Sequence, residues 1–282
     1  MRFSPVKLAA LPAPDFDLAG TLNCGQVFHW TETSGEWTGL IGTRAVRVHQ
    51  EGASLIVPAG TETLCANYFA LDHPLRSVYR SFPRDAYSQA ALKRSRGIRI
   101  LRQPLWECLA TFLFSSMKQV PHIRQISFKL RERFGEPVRG SSLNAFPSPE
   151  RLAETNEAAL RECALGFRAA NLRATAGRIA NGDLNLESLR SLPTPELRAH
   201  LMSLPGVGEK IANCALLFAY ERLDSVPVDV WIARILRGMI GQPTASLASL
   251  QLYADNQFGR YAGYIQQYLF HYARASRELP GC

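Results

Sequence analysis

The sequence lacks several features that would place a protein in a special class. Its six cysteines are scattered at Cys24, Cys65, Cys108, Cys163, Cys214 and Cys282. None forms a C-x-x-C pair, which argues against a zinc knuckle or a closely spaced iron–sulfur site. No apolar run is long enough to span a bilayer or to form a signal peptide after Met1. We therefore expect buried free thiols and an intracellular protein, in the cytoplasm or nucleoid of a bacterium or the nucleus of a eukaryote.

The composition is that of a soluble globular protein with a basic excess. The chain has 282 residues, 46% hydrophobic and 20% charged, which allows one or two domains with ordinary cores. Lys and Arg outnumber Asp and Glu by 32 to 24, a net charge of +8. This excess favours a polyanion such as nucleic acid, although a soluble enzyme can simply be basic. The charge permits a nucleic-acid partner without requiring one.

The N-terminal part is typical of an antiparallel sheet. Short turn-forming segments separate four β-like runs, at residues 26–32, 36–41, 44–49 and 53–58. Phe28, Trp30 and Trp37 are expected to supply one apolar face of this sheet. No internal repeat or low-complexity segment interrupts the pattern. We predict an N-terminal sheet domain with flanking helices over residues 1–95.

From about Cys65 onward the hydrophobic period becomes helical. Residues 68–82 read as one helix broken near Pro74, and residues 104–135 as two long helices. The basic stretch 90–102 is either an interdomain connection or a solvated face. The chain is therefore predicted to be α+β, with an all-helical domain over residues 96–282 packed against the sheet domain.

A tight hairpin between two helices begins at Leu204, in the sequence LPGVG. Glycines permit positive φ and close backbone approach, and the N–H groups at the following helix start form a site for a DNA phosphate. Gly206, Val207 and Gly208 are the candidate phosphate contacts. The alternative is a purely structural helix–helix turn.

Lys210 and Asp229 are the candidate catalytic residues. Lys210 lies in the first turn of the next helix, with Cys214 and Phe218 on the same face. Both the positive helix end and the apolar face favour a neutral amine, the form that a nucleophile needs, although a lysine there can also reach solvent or phosphate. Asp229 precedes an amphipathic helix, where it suits an N-cap and can also stabilise positive charge on a sugar.

These segments resemble a known enzyme family. LPGVGEKIANCALLF and VPVDVWIARIL are similar to the helix-hairpin-helix DNA glycosylase superfamily, and within it to the 8-oxoguanine DNA glycosylase family. Further blocks resemble that family in the same order, from about Asn23 to Phe270. They are CGQVFHW, YFALDHPL, GIRILRQPLWECLATFLFSS, ALGFRAANLR and YAGYIQQYLF.

The resemblance implies roles for the catalytic pair and for the DNA contacts. Lys210 would attack C1′ and form a Schiff base, which permits β-elimination of the 3′ phosphate, with Asp229 near the sugar. Trp231 joins the hairpin glycines as a phosphate contact. The partner would be damaged double-stranded DNA, bound by a monomer that needs no cofactor. The family also offers an alkali or alkaline-earth cation on hairpin carbonyls, here those of Met202, Leu204 and Val207.

The same resemblance implies a pocket for the expelled base. Cys214 and Phe270 would sandwich it, Phe218 would line the site, and Gln266 would bond its Watson–Crick edge. The carbonyl of Gly25 would accept the N7–H that 8-oxoguanine has and guanine lacks. From the residues alone, Gly25 could merely begin a strand, Phe270 could be core and Gln266 could cap a helix.

The chain departs from the family where the opposite base is read. Met117 and His122 stand at positions where family members often carry an asparagine and an arginine. Met117 could wedge into the base stack but cannot read cytosine by paired hydrogen bonds. Arg168 fits the family's other cytosine-reading arginine, with Phe167 as its stacking neighbour. We expect a weaker preference for cytosine opposite the lesion.

Two other functions remain open from the sequence. An alkylpurine glycosylase of the same superfamily would act through the aspartate and water, which leaves Lys210 unexplained. Adenine and thymine-glycol enzymes end in a four-cysteine cluster, whereas this terminus has Cys282 alone. A non-catalytic DNA-binding protein would keep the hairpin but has no use for Lys210 and Asp229 together.

Overall fold

A computed structural model describes residues 7–276 and 279–280, so Met1 and Cys282 lie outside the described residues. The fold is α+β, as predicted, with an N-terminal antiparallel sheet and a larger helical body. The five cysteines within the described residues are buried and free. In the same part of the chain, no helix combines the length and the apolarity that a membrane crossing requires.

The sheet has five antiparallel strands in the order β1-β5-β4-β3-β2. Three of the predicted strands are confirmed, and their register is set by tight turns such as the one that pairs Ile41 with Arg44. Gly42 turns there with a φ of 60°, which favours glycine. The first strand was not predicted, because its short alanine-rich sequence carries no alternation. The strands are β1 Leu8–Pro12, β2 Thr31–Thr33, β3 Glu36–Ile41, β4 Arg44–Glu51 and β5 Ser54–Pro58.

The prediction of a strand over residues 26–32 is wrong for residues 26–30. These five residues are all buried and lie between the sheet and the helical body, so they do not alternate between core and solvent. The side chain of Gln26 makes hydrogen bonds to backbone groups that a neighbouring strand would otherwise make. Its Nε2 donates to the carbonyls of Thr21 (3.0 Å) and Arg99 (2.8 Å), and its Oε1 accepts from the N–H of Leu101 (2.9 Å). Side-chain hydrogen bonds therefore hold this segment.

Helices make up most of the remaining chain. The two long helices predicted within residues 104–135 are confirmed, whereas residues 68–82 form the end of one helix, a turn and a new helix that starts after Pro74. Proline lacks the N–H that a continuous helix would need there. The helices are α1 Leu18–Asn23, α2 Glu62–Tyr68, α3 Leu75–Arg80, α4 Ala86–Ser95, α5 Leu105–Ser115, α6 Val120–Phe134, α7 Pro149–Glu154, α8 Glu157–Leu160, α9 Arg168–Ala180, α10 Thr194–Met202, α11 Glu209–Phe218, α12 Val230–Ile240, α13 Leu247–Phe258 and α14 Ala262–Ser276.

Two hydrophobic cores meet at the segment after α1. Trp30 and Trp37 lie in the core under the sheet, as predicted. Phe28 does not share that face, because it packs edge-on against Phe112 of α5, with ring centres 5.8 Å apart, in the helical core. Helix α4 also packs on α14 of the helical body. The domain boundary at residue 95 stays a prediction.

The basic stretch 90–102 is neither a loose connection nor wholly a solvated face. Arg99 is buried, and its guanidinium donates to the carbonyls of Ala70 (2.6 Å) and His73 (3.3 Å). Ile98 and Ile100 beside it are core residues. The end of this stretch is thus a buried structural segment between the sheet and the helical body.

A buried ion cluster fixes the sheet to the helices behind the site. His29 contacts the carbonyl of Leu40 on β3 (2.7 Å) and the carboxylate of Glu107 on α5 (3.0 Å), which also pairs with Arg131 of α6. Burial opposes ionisation of Glu107, but the charges of Arg131 and His29 outweigh it and lower its pKa to about 2. The cluster therefore ties the start of α5 to the end of α6 and to β3.

Candidate active site

The hairpin predicted at Leu204 joins α10 to α11. The N–H of Val207 donates to the carbonyl of Leu204 (3.1 Å), and Gly206 turns with a φ of +77°. A side chain at Gly206 would collide with Asn171 of α9, which requires glycine there. Gly208 is the N-cap of α11, and a Cβ at this glycine would meet nothing within 4 Å. The space beside the start of α11 is therefore open, which leaves room for an anion at its first N–H groups.

Lys210 is the second residue of α11 and is half-buried. Its Nζ donates to the Oγ of Ser115 (3.3 Å) and lies 5.3 Å from the centre of the Phe112 ring. Ser115 in turn donates to the carbonyl of Phe112 (2.7 Å), which fixes its hydroxyl for the lysine. The amine therefore points toward the end of α5 and not into bulk solvent.

Asp229 is the N-cap of α12, as its sequence position predicts. Its Oδ1 accepts hydrogen bonds from the N–H groups of Trp231 (3.0 Å) and Ile232 (2.8 Å). Burial raises the pKa of the Asp229 carboxyl, while those two N–H groups and the charges of Lys210 and Arg274 oppose the rise. Both bonds are accepted by a single oxygen, so neither of them engages Oδ2.

Lys210 and Asp229 line one cavity of about 820 Å³. This is large enough to hold a purine and its sugar, since small-molecule sites typically measure about 300–1,000 Å³. The wall is mostly apolar, with a few polar groups. Of the predicted site residues, the cavity brings together Gly25, Met117, Lys210, Cys214, Phe218, Asp229, Trp231, Gln266 and Phe270. It does not include Gly206, Val207, Gly208, His122, Phe167 and Arg168.

Gln266 supplies an unpartnered polar atom in this cavity. Its side chain is 4% exposed, and its Oε1 is buried without a hydrogen-bond partner among the described residues. A buried acceptor without a donor costs free energy, because buried polar atoms normally have hydrogen-bond partners. The arrangement fits a ligand that brings a donor to Gln266.

Gly25 faces Phe270 across the cavity wall. Its φ is +89°, and a Cβ there would lie 3.2 Å from a ring carbon of Phe270. The carbonyls on either side are held by glutamines: Gln267 donates to that of Cys24 (2.8 Å), and Gln103 to that of Gln26 (2.7 Å). The backbone at Gly25 is thus positioned from both flanks.

Cys214 and Phe218 lie along the buried face of α11. Burial raises the pKa of the Cys214 thiol to about 11, so it is a neutral apolar surface near pH 7. Phe218 stacks on Phe112 with ring centres 5.3 Å apart and planes 14° apart. These two residues form apolar wall, and the sandwich of a base between Cys214 and Phe270 stays a prediction.

The loop after α5 carries the predicted wedge. Met117 is 93% exposed and has a φ of +55°, a conformation that is strained for a residue with a side chain. Arg168 is 6% exposed and donates to the carbonyl of Ser116, directly before Met117. Phe167, 63% exposed, covers that guanidinium with its ring centre 4.2 Å away. Arg168 therefore holds the wedge loop in this structure, and its reading of cytosine stays a prediction, as does that of exposed His122.

Sequence reasoning missed three residues of the site. Ser115 contacts Lys210, Gln267 anchors the backbone before Gly25, and Arg274 lines the cavity beside Phe270. Arg274 could have been found, because it stands four residues after Phe270 on one helix and so shares its face. The contacts of Ser115 and Gln267 join distant parts of the chain and leave no local signal.

Comparisons with known proteins agree over nearly the whole chain. A family model described as 8-oxoguanine DNA glycosylase, N-terminal domain, matches residues 9–109. The N-glycosylase/DNA lyase OGG1 of Arabidopsis thaliana is 30% identical over 295 residues, which cover 95% of this chain and 80% of the relative. MBOgg1, solved in complex with a low-affinity DNA ligand, is 32% identical with a TM-score of 0.92, covering 98% of each chain. The Clostridium acetobutylicum 8-oxoguanine glycosylase/lyase, in complex with double-stranded DNA containing cytosine opposite 8-oxoguanine, is 31% identical with a TM-score of 0.88 over 93% of each chain.

Proposed function

Because this chain belongs to the 8-oxoguanine DNA glycosylase family, we propose that it excises 8-oxoguanine from duplex DNA in base-excision repair, with an associated AP lyase activity. The observation that carries the proposal is one cavity lined by the Lys210 amine, the Asp229 carboxylate and the unpartnered Gln266 oxygen. Structures of relatives in complex with DNA support a DNA partner.

Binding places the damaged nucleotide in the cavity. The N–H groups at the start of α11 and the neighbouring Trp231 bind the backbone phosphates, and Met117 fills the space that the expelled base leaves in the stack. Unstacking costs a few kcal/mol, which the contacts made by the expelled base must offset. Cys214 and Phe218 supply apolar surface, and Gln266 and Gly25 supply acceptors for the N–H groups of the base.

The Lys210 amine performs the first chemical step. Its nitrogen lone pair forms a bond to C1′ while the bond from C1′ to N9 breaks, and the purine leaves with that electron pair and gains a proton. Positive charge develops on the sugar as the base departs, and the Asp229 carboxylate stabilises it. The cost of burying Asp229 in the free protein is therefore recovered when the sugar becomes positively charged.

The lyase step follows from the covalent intermediate. The lone pair on the Lys210 nitrogen forms a double bond to C1′ as the bond from C1′ to O4′ breaks and O4′ gains a proton, which gives a protonated Schiff base. The resulting Schiff base acidifies the hydrogens on C2′, so loss of one of them expels the 3′ phosphate by β-elimination. Hydrolysis of the Schiff base then returns the free Lys210 amine.

Borohydride trapping tests the mechanism. With a duplex that contains 8-oxoguanine, borohydride should reduce the Schiff base to a stable covalent adduct. Lys210→Gln should abolish the adduct, whereas Lys118→Gln, which changes another lysine of the same cavity, should retain it. An adduct in the Lys210 variant would refute this assignment. Base release by the wild-type protein without any adduct would instead indicate the aspartate-and-water chemistry of an alkylpurine enzyme.

The oligomeric state and the hairpin cation complete the proposal. We infer that the protein acts as a monomer without a catalytic cofactor. A structural alkali or alkaline-earth cation would bind the carbonyls of Met202, Leu204 and Val207. Met202 ends α10, and Leu204 and Val207 are the two ends of the turn that follows. Main-chain carbonyl oxygens are ligands that such hard cations accept. The cation would add positive charge where a phosphate binds.

A further inference from the structure

Arg274 lines the cavity, and among the described residues its charged group contacts a ring but no acceptor. It follows Phe270 by one turn of α14, and its guanidinium carbon is 5.3 Å from the centre of that ring. A Cβ at Gly25 would lie 3.0 Å from its Nη1. Within residues 7–276 and 279–280, the guanidinium forms no hydrogen bond or ion pair. A half-buried guanidinium thus stands beside Gly25 with free donors.

An unpaired guanidinium in this position is costly unless a ligand completes it. Burial lowers the pKa of Arg274, and the negative charge of Asp229 opposes that shift. Arginine nevertheless stays protonated, and its donors point in fixed directions that suit a planar acceptor. The other arginines that border the interior have acceptors: Arg99 donates to backbone carbonyls and Arg131 to Glu107. Arg274 therefore differs from arginines that serve the fold.

The oxidised purine carries an acceptor that could pair with the Arg274 guanidinium. Oxidation of guanine places an oxygen on C8 and a hydrogen on the adjacent N7, so this edge carries an acceptor beside a donor. Guanine has only the N7 lone pair and a C8–H there. The Gly25 carbonyl suits the N7–H, and Arg274 provides donors immediately beside that glycine.

We propose that Arg274 is a specificity-determining residue that donates a hydrogen bond to the C8 oxygen of the expelled 8-oxoguanine. The inference rests on the proposed function, since it places that base in the cavity. The Arg274 contact recognises the oxygen on C8, whereas the Gly25 carbonyl recognises only the hydrogen on N7. A contact with a backbone phosphate is the other use of a free guanidinium, and the experiment separates the two.

The test compares the affinities of three duplexes for the intact protein. The first contains 8-oxoguanine and the second contains guanine, each on a 2′-fluoro sugar that prevents cleavage. The third contains a tetrahydrofuran analogue of an abasic site. Arg274→Gln should lower the affinity for the 8-oxoguanine duplex about tenfold, the order expected for a charged hydrogen bond, with less than about twofold change on the other two. Arg274→Lys should retain part of the preference. Arg260→Gln removes an exposed arginine elsewhere on the surface and should leave all three affinities in their wild-type ratio.

The outcomes distinguish this inference from the function on which it rests. An equal loss on all three duplexes would show that Arg274 binds phosphate or supports the fold, and would overturn the inference. Retention of the wild-type preference by Arg274→Gln would also overturn it and leave the proposed function intact. A wild-type protein that does not prefer the 8-oxoguanine duplex would refute both.

Discussion

Replacement of Asp229 by asparagine should separate catalysis from stability. Asparagine is as good an N-cap as aspartate, so the hydrogen bonds from Trp231 and Ile232 are retained in the Asp229→Asn variant. The charge near the sugar is lost. We expect the rate of base excision to fall by about 10²–10³-fold, the effect of removing one group that stabilises charge in a transition state.

The same variant should not unfold more easily. Burial raises the pKa of Asp229 in the folded protein, so the folded state holds this proton more tightly than the unfolded state. The resulting stability is fully present below the unfolded pKa and is lost as the pH rises through the folded pKa. Near pH 7 the ionised carboxylate thus lowers the free energy of unfolding, and asparagine has no such effect. The free energy of unfolding of Asp229→Asn should equal or exceed that of the wild type.

Asp229→Ala provides the matched comparison. It removes the charge and the cap together, so its free energy of unfolding should lie about 1 kcal/mol below that of Asp229→Asn. Urea unfolding measures stability, and single-turnover excision from acid to neutral pH measures the chemistry. Protonation of Asp229 should contribute an inflection to the wild-type rate profile at a pH above the ordinary aspartate pKa, and Asp229→Asn should lack that inflection. Wild-type excision by Asp229→Asn, or a loss that merely follows its unfolded fraction, would refute the reasoning.

Two further predictions concern the buried segment after α1 and the wedge. Gln26→Leu removes hydrogen bonds to the carbonyls of Thr21 and Arg99 and from the N–H of Leu101. The free energy of unfolding, measured with urea, should fall by about 3 kcal/mol, at about 1 kcal/mol for each bond. A fall well below about 1 kcal/mol would contradict this account. Because Met117 carries no donors for paired hydrogen bonds, single-turnover excision opposite C, A, G and T should vary by no more than about tenfold; excision opposite C alone would count against it.

The fold was predictable where hydrophobic periodicity and burial agree. The strands Glu36–Ile41 and Arg44–Glu51 alternate, and α5 and α6 follow the helical period, so each was predicted. Residues 26–30 were assigned to a strand because aromatic and β-branched residues favour strands. Burial on all sides, with hydrogen bonds from Gln26, overrides that preference. The alternation on which a strand prediction depends was absent from that segment.

The site was predictable where a local pattern carries the chemistry. A lysine after a glycine hairpin and an aspartate before an apolar helix are visible in the sequence, and the structure places both in one cavity. The contact between Ser115 and Lys210 joins residues 95 positions apart, so no local pattern contains it. The position of Arg168 also depends on tertiary contacts, because its guanidinium is buried against Ser116. Side-chain orientation was the part that sequence could not supply.

In the proposed function Gly25 contacts the base through its main-chain carbonyl alone, and this limits how the site can be redesigned. A side chain at that position would be strained by the φ of +89°, and its Cβ would lie tightly against Phe270 and Arg274. Two glutamine clamps can be varied instead: Gln267 and Gln103, whose hydrogen bonds to the carbonyls of Cys24 and Gln26 position the backbone at Gly25. A library intended to broaden the range of excised bases should therefore vary the clamps and leave the glycine alone.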